Sequence, residues 1–289
     1  MSEQTTDAAA TALLEALALP RRGIVHDLSS GWWHGMPVVD CHPQFNVLSY
    51  RTPRGLHNQR DLDFIAEDND VRFSFISELM TGTAHTGTHM DALCHITCGD
   101  DHSWHGGVSA DTHLGDFGAL SDDASTLGPL IARGVLLDVA GALGGERMPA
   151  GFGIDGALLQ RTAQAQGVEL RAGDVVLVRT GQMRDWPDLE AMAPSEGAGV
   201  DLDGARWLSG HRPAAVGADT SSFEQLPSQV PGNPHPVHLH MLRENGIPIM
   251  EWVDCEALAR EQAWTFLFVA LPLSIRGATG SMIRPVAIV

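Results

Sequence analysis

Apolar and polar positions follow one repeating scheme in the second half of the chain. Short runs of Val, Ile and Leu, bounded by Gly, Pro, Asp and Asn, predict buried strands separated by turns. The clearest runs are 134–140, 174–180, 214–219 and 264–273. Helical spacing of apolar residues occurs between them, at about 155–167, 202–210, 237–245 and 253–261. This alternation predicts an α/β fold, whereas the first hundred residues are richer in strand and loop patterns.

The chain divides into a short N-terminal segment and one long domain. Residues 1–20 are rich in Ala and Leu, and Leu13, Leu14 and Leu17 would line one helical face before Pro20 ends the helix. We expect this segment to be a docking helix or arm, followed by a single domain over 21–289. No repeat, low-complexity linker or long charge run marks a further boundary.

Two acidic stretches with little predicted secondary structure interrupt the domain. They span 50–72 and 186–200. Loops of this length are often functional, so we expect lids or oligomer contacts there.

Composition excludes several classes of protein. The chain has 289 residues, 44% of them hydrophobic, and no apolar run approaches the ~20 residues of a membrane span, so we expect a soluble, cytoplasmic protein. The net charge of −18 argues against nucleic acid or an anionic membrane as a partner. All 18 basic residues are arginine, which excludes a pyridoxal phosphate Schiff base, a P-loop and a protein kinase.

Histidine, rather than cysteine, is the unusual residue. The four cysteines make no C-x-x-C pair, so neither a disulfide scaffold nor a four-thiolate zinc site is predicted. Of the 14 histidines, six lie between His85 and His113 and three between His235 and His240. Imidazole is the commonest metal ligand and proton carrier in proteins. Two clusters therefore suggest one site divided along the sequence.

The segment GTAHTGTHMDALCHI, 82–96, carries the strongest signal. If 85–91 is extended, the period of two places His85, Gly87, His89 and Asp91 on one face, with the glycine leaving open space for a ligand. A helix starting at Asp91 would bring His95 to the same pocket. Two imidazoles and a carboxylate with open positions suit Zn²⁺, Mn²⁺ or Fe²⁺ better than Ca²⁺ or Mg²⁺.

Two other interpretations of this segment do not involve a metal. Its histidines could be ordinary surface groups above a core of Leu93, Cys94 and Ile96. Cys94 could be a nucleophile beside His95, but adjacent side chains usually point apart and the apolar neighbours favour burial. The convergence of several ligand types in one short run favours the metal site.

The run HTGTHMDALCH resembles the HxGTHxDxxxH signature of the metal-dependent cyclase family, which includes kynurenine formamidase-like and isatin hydrolase-like enzymes. Segments such as DLSSGWWHGMPV and LRAGDVVLVRTG follow in the family's order. The resemblance implies His85, His89 and Asp91 as metal ligands and His95 as the acid/base residue. It also implies a swivelling β/β/α-type single domain with a mixed sheet, and assembly into homodimers or homotetramers.

The second histidine cluster completes the implied site. In HPVHLHMLRENGIPIMEW, a short helix, a cap at Gly246 and a strand ending at Glu251 are predicted. By resemblance, His238 and Glu251 are a distal pair that completes a second metal position or holds water. His240 is the rival for this role, since it lies two residues away and would face elsewhere on a helix.

Departures from the family pattern concern the substrate pocket. Where the family often has a tryptophan, this chain has Val39, with His42 close by. Trp104 and His105 stand where longer members place an aromatic residue, and with Trp33 they are candidate substrate contacts. Core packing is the alternative for each tryptophan.

Other motifs do not support a competing reaction. GFGIDG, 151–156, satisfies G-x-G-x-x-G but does not follow a strand, so Asp155 is expected to cap a helix instead. There is no G-x-S-x-G or H-E-x-x-H motif.

The sequence therefore predicts a hydrolase that cleaves a small amide, lactam or related carbonyl compound with one or two Zn²⁺ or Mn²⁺ ions. His95, with an ordinary pKa near ~6.5, would move the proton. A metal-dependent cyclase or dehydratase, and a non-catalytic metal- or small-molecule-binding protein, are the alternatives.

Overall fold

A nine-stranded mixed sheet forms the centre of the computed structural model, which describes residues 3–65, 70–192 and 196–289. Four parallel strands lie in its middle and antiparallel strands extend it on both sides. From edge to edge the strands are Val25–Asp27, Val286–Ile288, Thr265–Ala270, Leu130–Asp138, Val175–Arg179, Ala215–Ala218, Ile249–Glu251, His89–Asp91 and Gly280–Met282. The prediction of an α/β domain with a mixed sheet is confirmed.

The parallel strands read as continuous apolar runs because both of their faces are buried. On Leu130–Asp138, Val135 and Leu137 pack into the core on one face of the sheet, whereas Leu136 packs into the core on the other. The predicted runs near 134–140, 174–180, 214–219 and 264–273 all contain strands of this sheet.

Capped helices cover the first of these faces. Gly156–Gln166 begins where the Asp155 side chain accepts a hydrogen bond from Leu158 N at 2.7 Å, so the expected capping role of Asp155 is confirmed. Leu202–Gly210 starts in the same way at Asp201. Both helices bury their apolar sides against the sheet.

The remaining helices and paired strands are short. The helices are Pro53–Gln59, Ala110–His113, Val139–Ala142, Leu189–Met192, Pro236–His238 and Glu256–Arg260, and Leu239–Glu244 continues Pro236–His238 as a π-helix. The 3-10 turns are Asp63–Ile65, His105–Gly107, Ala124–Thr126 and Gln182–Asp185. The two-stranded sheets pair Asn46–Arg51 with Ser77–Thr81, Leu114–Gly115 with Gly118–Ala119, and Gly153–Ile154 with Gly199–Val200.

A buried ion network ties three of these elements together at the end of two parallel strands. The Arg179 guanidinium donates to Asp138 at 2.8 Å and to Glu256 at 2.7 Å. Asp138 lies opposite Arg179 in the sheet register. Because Arg179 is only 5% exposed, these carboxylates are needed to compensate its buried positive charge.

Two expectations need correction. The helix Glu3–Leu17 forms and contacts the strands Leu130–Asp138 and Thr265–Ala270, but among its side chains from residue 10 onward Ala16 is the buried one, while Leu13, Leu14 and Leu17 remain 37%, 67% and 49% exposed. The stretches 50–72 and 186–200 hold short helices rather than loop alone, and residues 66–69 and 193–195 lie outside the described chain. No helix in the described ranges is long and apolar enough to cross a bilayer.

Candidate metal centre

The register of two antiparallel strands positions three polar side chains. His89 and Asp91 flank Met90, which is buried in the core, so both point away from it. Glu251 lies directly opposite His89 on the neighbouring strand. Residues that face each other across an antiparallel pair share one side of the sheet. Glu251 is therefore brought to the same side as His89 and Asp91.

His85 reaches these residues from a bend rather than from an extended strand. The strand begins only at His89, and Gly87 has a φ of +55° in the left-handed region. A Cβ on Gly87 would lie 2.4 Å from Ser30 Oγ, so this glycine permits a turn and close packing. The expectation that it opens space for a ligand on an extended face is wrong.

Five buried side chains, which we call the donor cluster, converge here: His85, His89, Asp91, His238 and Glu251. Asp91 lies 2.8 Å from His85 Nδ1, 3.5 Å from His89 Nε2 and 3.7 Å from His238 Nε2. Glu251 lies 3.4 Å from His89 Nε2 and 3.2 Å from His238 Nε2. Donors around a tetrahedral zinc ion are separated by about 3.3 Å, so the spacing is close to that of a ligand set.

The outer ring nitrogens of two of these histidines are anchored by neighbours. His89 Nδ1 donates to the Gly87 carbonyl at 2.7 Å, which leaves Nε2 free to face the carboxylates. His85 Nε2 hydrogen-bonds with Thr279 Oγ1 at 2.8 Å, which leaves Nδ1 facing Asp91. Partners of this kind fix the tautomer and orientation of a metal-binding imidazole.

Polar atoms without well-aligned hydrogen bonds indicate that the donor cluster fits a cation. Within the described ranges, both Asp91 oxygens and His85 Nδ1 are buried without a hydrogen bond of good geometry, although Asp91 Oδ1 lies 2.8 Å from His85 Nδ1. Such atoms are costly unless something compensates them. Two overlapping triads, His85–His89–Asp91 and Asp91–His238–Glu251, each place donor atoms within 4.8 Å of one another. The cluster is therefore compatible with a divalent metal.

Electrostatics within the cluster agree with this reading. Burial lowers the pKa of His89, but Asp91 and Glu251 outweigh it and raise the pKa to about 9. Burial raises the pKa of the Asp91 carboxyl, yet the neighbouring histidines hold it well below its usual range. Protonated histidines thus neutralise the carboxylates when no metal ion is bound, and metal binding would release the histidine protons.

His95 lies beside the cluster on a turn. Its backbone N–H donates to the Ala92 carbonyl at 3.0 Å, and its ring stacks on His85 with centroids 4.0 Å apart. The expected helix starting at Asp91 is absent from this described segment, but the turn brings His95 to the same pocket. Burial lowers the pKa of His95 to about 3, so the ring is neutral near pH 7, in contrast to the expected value near ~6.5.

A cavity of about 1330 Å³ opens onto these groups. Its polar side includes His42, His85, His89, His95 and Glu251. Its apolar side is formed by Val38, Val39, Ile96, Leu189, Leu226, Pro227, Val230, Pro231 and Pro234. This volume exceeds the range typical of small-molecule pockets, so there is room for a substrate beside the donor cluster.

Of the predicted substrate contacts, Val39 lines this cavity and three others do not. Trp104 is 2% exposed, and its indole N–H donates to Asp122 in a separate core cluster. The His105 ring packs against Gly246 and donates to the Arg243 carbonyl. Trp33 stands edge-on to Trp186, with centroids 5.8 Å apart. Long-range packing, which local motifs do not encode, directs these rings elsewhere.

The structure also separates the two rival histidines of the second cluster. His238 is buried within reach of Asp91 and Glu251. The His240 ring instead contacts Ser209 at 2.8 Å and Glu244 at 2.9 Å. The geometry therefore brings His238, and not His240, to the donor cluster.

Sequence reasoning missed several residues that support the site. Gly280 lets His85 approach, since a Cβ there would lie 2.8 Å from His85 Cε1. Thr279 and Glu224 hydrogen-bond to cluster histidines. His42, which the sequence indicated only as a neighbour of Val39, stacks on His85 with centroids 5.2 Å apart. None of these stands in a recognisable motif, because the fold joins them from distant segments.

Comparison with known proteins identifies the family. The family model described as "Putative cyclase" matches residues 26–225. The chain belongs to this cyclase family. A search of curated proteins gave no match. The confirmed family is the one that the HxGTHxDxxxH run resembles.

Several solved structures share the fold. A novel cyclase is 25% identical and superimposes with a TM-score of 0.81, covering 96% of this chain and 93% of its own. Isatin hydrolase A from Ralstonia solanacearum is 20% identical, with a TM-score of 0.65 and coverage of 99% and 97%. A predicted metal-dependent hydrolase from Bacillus stearothermophilus is 19% identical, with a TM-score of 0.58 and coverage of 91% and 97%.

Proposed function

We propose that this protein is a metal-dependent hydrolase that cleaves a small amide, lactam or related carbonyl compound. The observation that carries the proposal is the buried donor cluster, in which Asp91 and His85 have ligand atoms without well-aligned hydrogen bonds beside a large cavity. His85, His89 and Asp91 would hold the ion, with His238 and Glu251 completing the site or a second position. Zn²⁺ and Mn²⁺ are the ions best suited to these ligands.

Each part of the chain then has a chemical task. A divalent ion, when bound, activates water and polarises a carbonyl group. His95, whose imidazole lies on the cavity wall, accepts the proton of the attacking water and returns it to the leaving nitrogen or oxygen. General acid/base assistance of this kind contributes about 10²- to 10⁴-fold to rate. The apolar wall around Val39 holds the body of the substrate and limits access of bulk water.

Similar structures support the reaction class by analogy. They include isatin hydrolases and a predicted metal-dependent hydrolase. Their sequence identities to this chain are 19–21%, which establishes a shared fold but not a shared reaction. We extend the proposal to a small-molecule substrate, a cytoplasmic location and a homodimer or homotetramer. Light scattering of the purified protein measures the last of these.

The test is a turnover screen of formamides, lactams, imides and lactones in ¹⁸O-labelled water. The proposal predicts product that carries the label. His95→Ala should retain the metal and lose about 10²-fold or more of turnover, whereas Asp91→Ala should lose both. His240→Ala, outside the cavity lining, should behave as the wild type.

Three results would contradict this account. Unlabelled product would indicate dehydration or ring closure instead of hydrolysis. Tight metal binding with no turnover of any compound class would indicate a binding protein. Equal metal loss in the His95 and Asp91 variants would remove the division of roles between them.

A further inference from the structure

Glu224 is a buried carboxylate whose hydrogen-bond donors are backbone N–H groups and imidazoles, with no arginine among them. It is 1% exposed, and each of its interactions in the described chain is with a backbone N–H or an imidazole. An ionised carboxylate this deep requires compensation. The groups that donate hydrogen bonds to Glu224 therefore indicate its role.

Four hydrogen bonds fix the carboxylate on one short segment. Oε2 accepts from Val237 N at 3.1 Å, and Oε1 accepts from His238 N at 3.2 Å and from His235 Nδ1 at 3.2 Å. The His238 Nδ1–H also donates to Oε1. Together they give both oxygens of the buried carboxylate hydrogen-bond partners.

The contact with His238 determines which nitrogen faces the donor cluster. With the Nδ1 proton held by Glu224, His238 Nε2 lies 3.2 Å from Glu251 and 3.7 Å from Asp91. His89 and His85 are oriented in the same way, but by a neutral carbonyl and a neutral hydroxyl. His238 alone among these three has a carboxylate behind it.

From this arrangement we infer that Glu224 is a positioning residue that prepares His238 to bind a metal ion through Nε2. The inference rests on the proposed function, because it assigns His238 to the metal centre. A carboxylate behind a histidine ligand holds the ring in one orientation and makes its free nitrogen a stronger donor. Removing such a partner typically lowers metal affinity by about 10- to 100-fold.

The test compares full-length wild type, Glu224→Gln and Asp219→Asn after removal of metal with a chelator. Asp219 is a matched control, since it too is a fully buried carboxylate that accepts four hydrogen bonds, but from residues 180–182. Zn²⁺ affinity is measured by chelator competition, and the Co²⁺ absorption spectrum reports ligand geometry. Thermal unfolding of each variant monitors its fold.

We expect Glu224→Gln to lose about 10- to 100-fold in Zn²⁺ affinity and to change the Co²⁺ spectrum. Asp219→Asn should stay within about threefold of wild type, a difference below 1 kcal/mol. Wild-type affinity and spectrum in Glu224→Gln would overturn the inference and leave the proposed function standing. A wild type that takes up no Zn²⁺ would overturn both.

A measurement on the wild type alone covers the case in which the variant does not fold. In ¹⁵N-histidine NMR spectra of Zn²⁺-loaded protein, His238 should carry its proton on Nδ1 and the metal on Nε2. A His238 ring protonated on Nε2 would contradict the positioning role of Glu224.

Discussion

An alanine in place of Gly87 is expected both to destabilise the protein and to distort the donor cluster. Gly87 separates His85 from His89 and has a φ of +55°. Its missing Cβ would lie 2.4 Å from Ser30 Oγ, 2.9 Å from Met36 Cε and 3.3 Å from the Gly31 carbonyl oxygen. The substitution therefore adds both a strained backbone and a steric clash.

The expected magnitude is the sum of these two effects. A left-handed conformation costs a non-glycine residue about 1–2 kcal/mol. Overpacking of a tight interior costs about 1–3 kcal/mol more. Gly106→Ala is the matched control, because Gly106 has a φ of +71° but open space within 4 Å of the added Cβ. We expect a loss of about 2–5 kcal/mol at Gly87 against about 1–2 kcal/mol at Gly106.

Urea unfolding at one fixed protein concentration, with metal removed, measures both losses. Because the Gly87 carbonyl accepts the Nδ1 proton of His89, Gly87→Ala should also weaken Zn²⁺ binding when metal is restored, and Gly106→Ala should not. Equal destabilisation by the two substitutions would refute the packing argument. Unchanged metal affinity in Gly87→Ala would refute the link between this turn and His89.

Three further predictions concern the network, the rival histidines and pH. Arg179→Met leaves the carboxylates of Asp138 and Glu256 without their cation. It should cost about 3–5 kcal/mol of unfolding free energy in denaturant titrations, and a loss below about 1 kcal/mol would contradict this prediction. His238→Ala should weaken Zn²⁺ binding in chelator competition and His240→Ala should not, whereas equal effects would contradict the geometry. Burial raises the pKa of Asp219 from 3.8 to about 6, so the native state holds a proton that the unfolded chain loses. The stability of wild type relative to Asp219→Asn should therefore fall by about 2 kcal/mol from about pH 4 to about pH 7 in urea titrations, and a constant difference would contradict it.

Local sequence was informative where the chemistry is local. His85, His89, Asp91 and His95 lie within one short segment, and the fold brings them together even though the backbone there is a bend and a turn. The ligands were therefore predicted correctly although the backbone conformation was not. The turn at Gly87, which has a positive φ, keeps His85 and His89 close together in place of the extended strand that was expected.

Residues whose position depends on distant segments were predicted poorly. Trp104 was assigned to the substrate pocket because longer family members place an aromatic residue at this point of the chain, but it packs in a separate core cluster and hydrogen-bonds to Asp122. Glu224 had no motif, because its partner His238 approaches through the fold of a later helix. The N-terminal helix was found, yet Ala16 rather than the leucines is buried, since helical periodicity alone does not identify the partner surface.

Elemental analysis of protein purified without chelators tests the central claim most directly. Wild type should contain about one or more transition-metal ions per chain, and Asp91→Asn should contain none, because Asp91 lies within 3.7 Å of three cluster histidines. A metal-free wild type that also fails to take up Zn²⁺ or Mn²⁺ on addition would contradict the account.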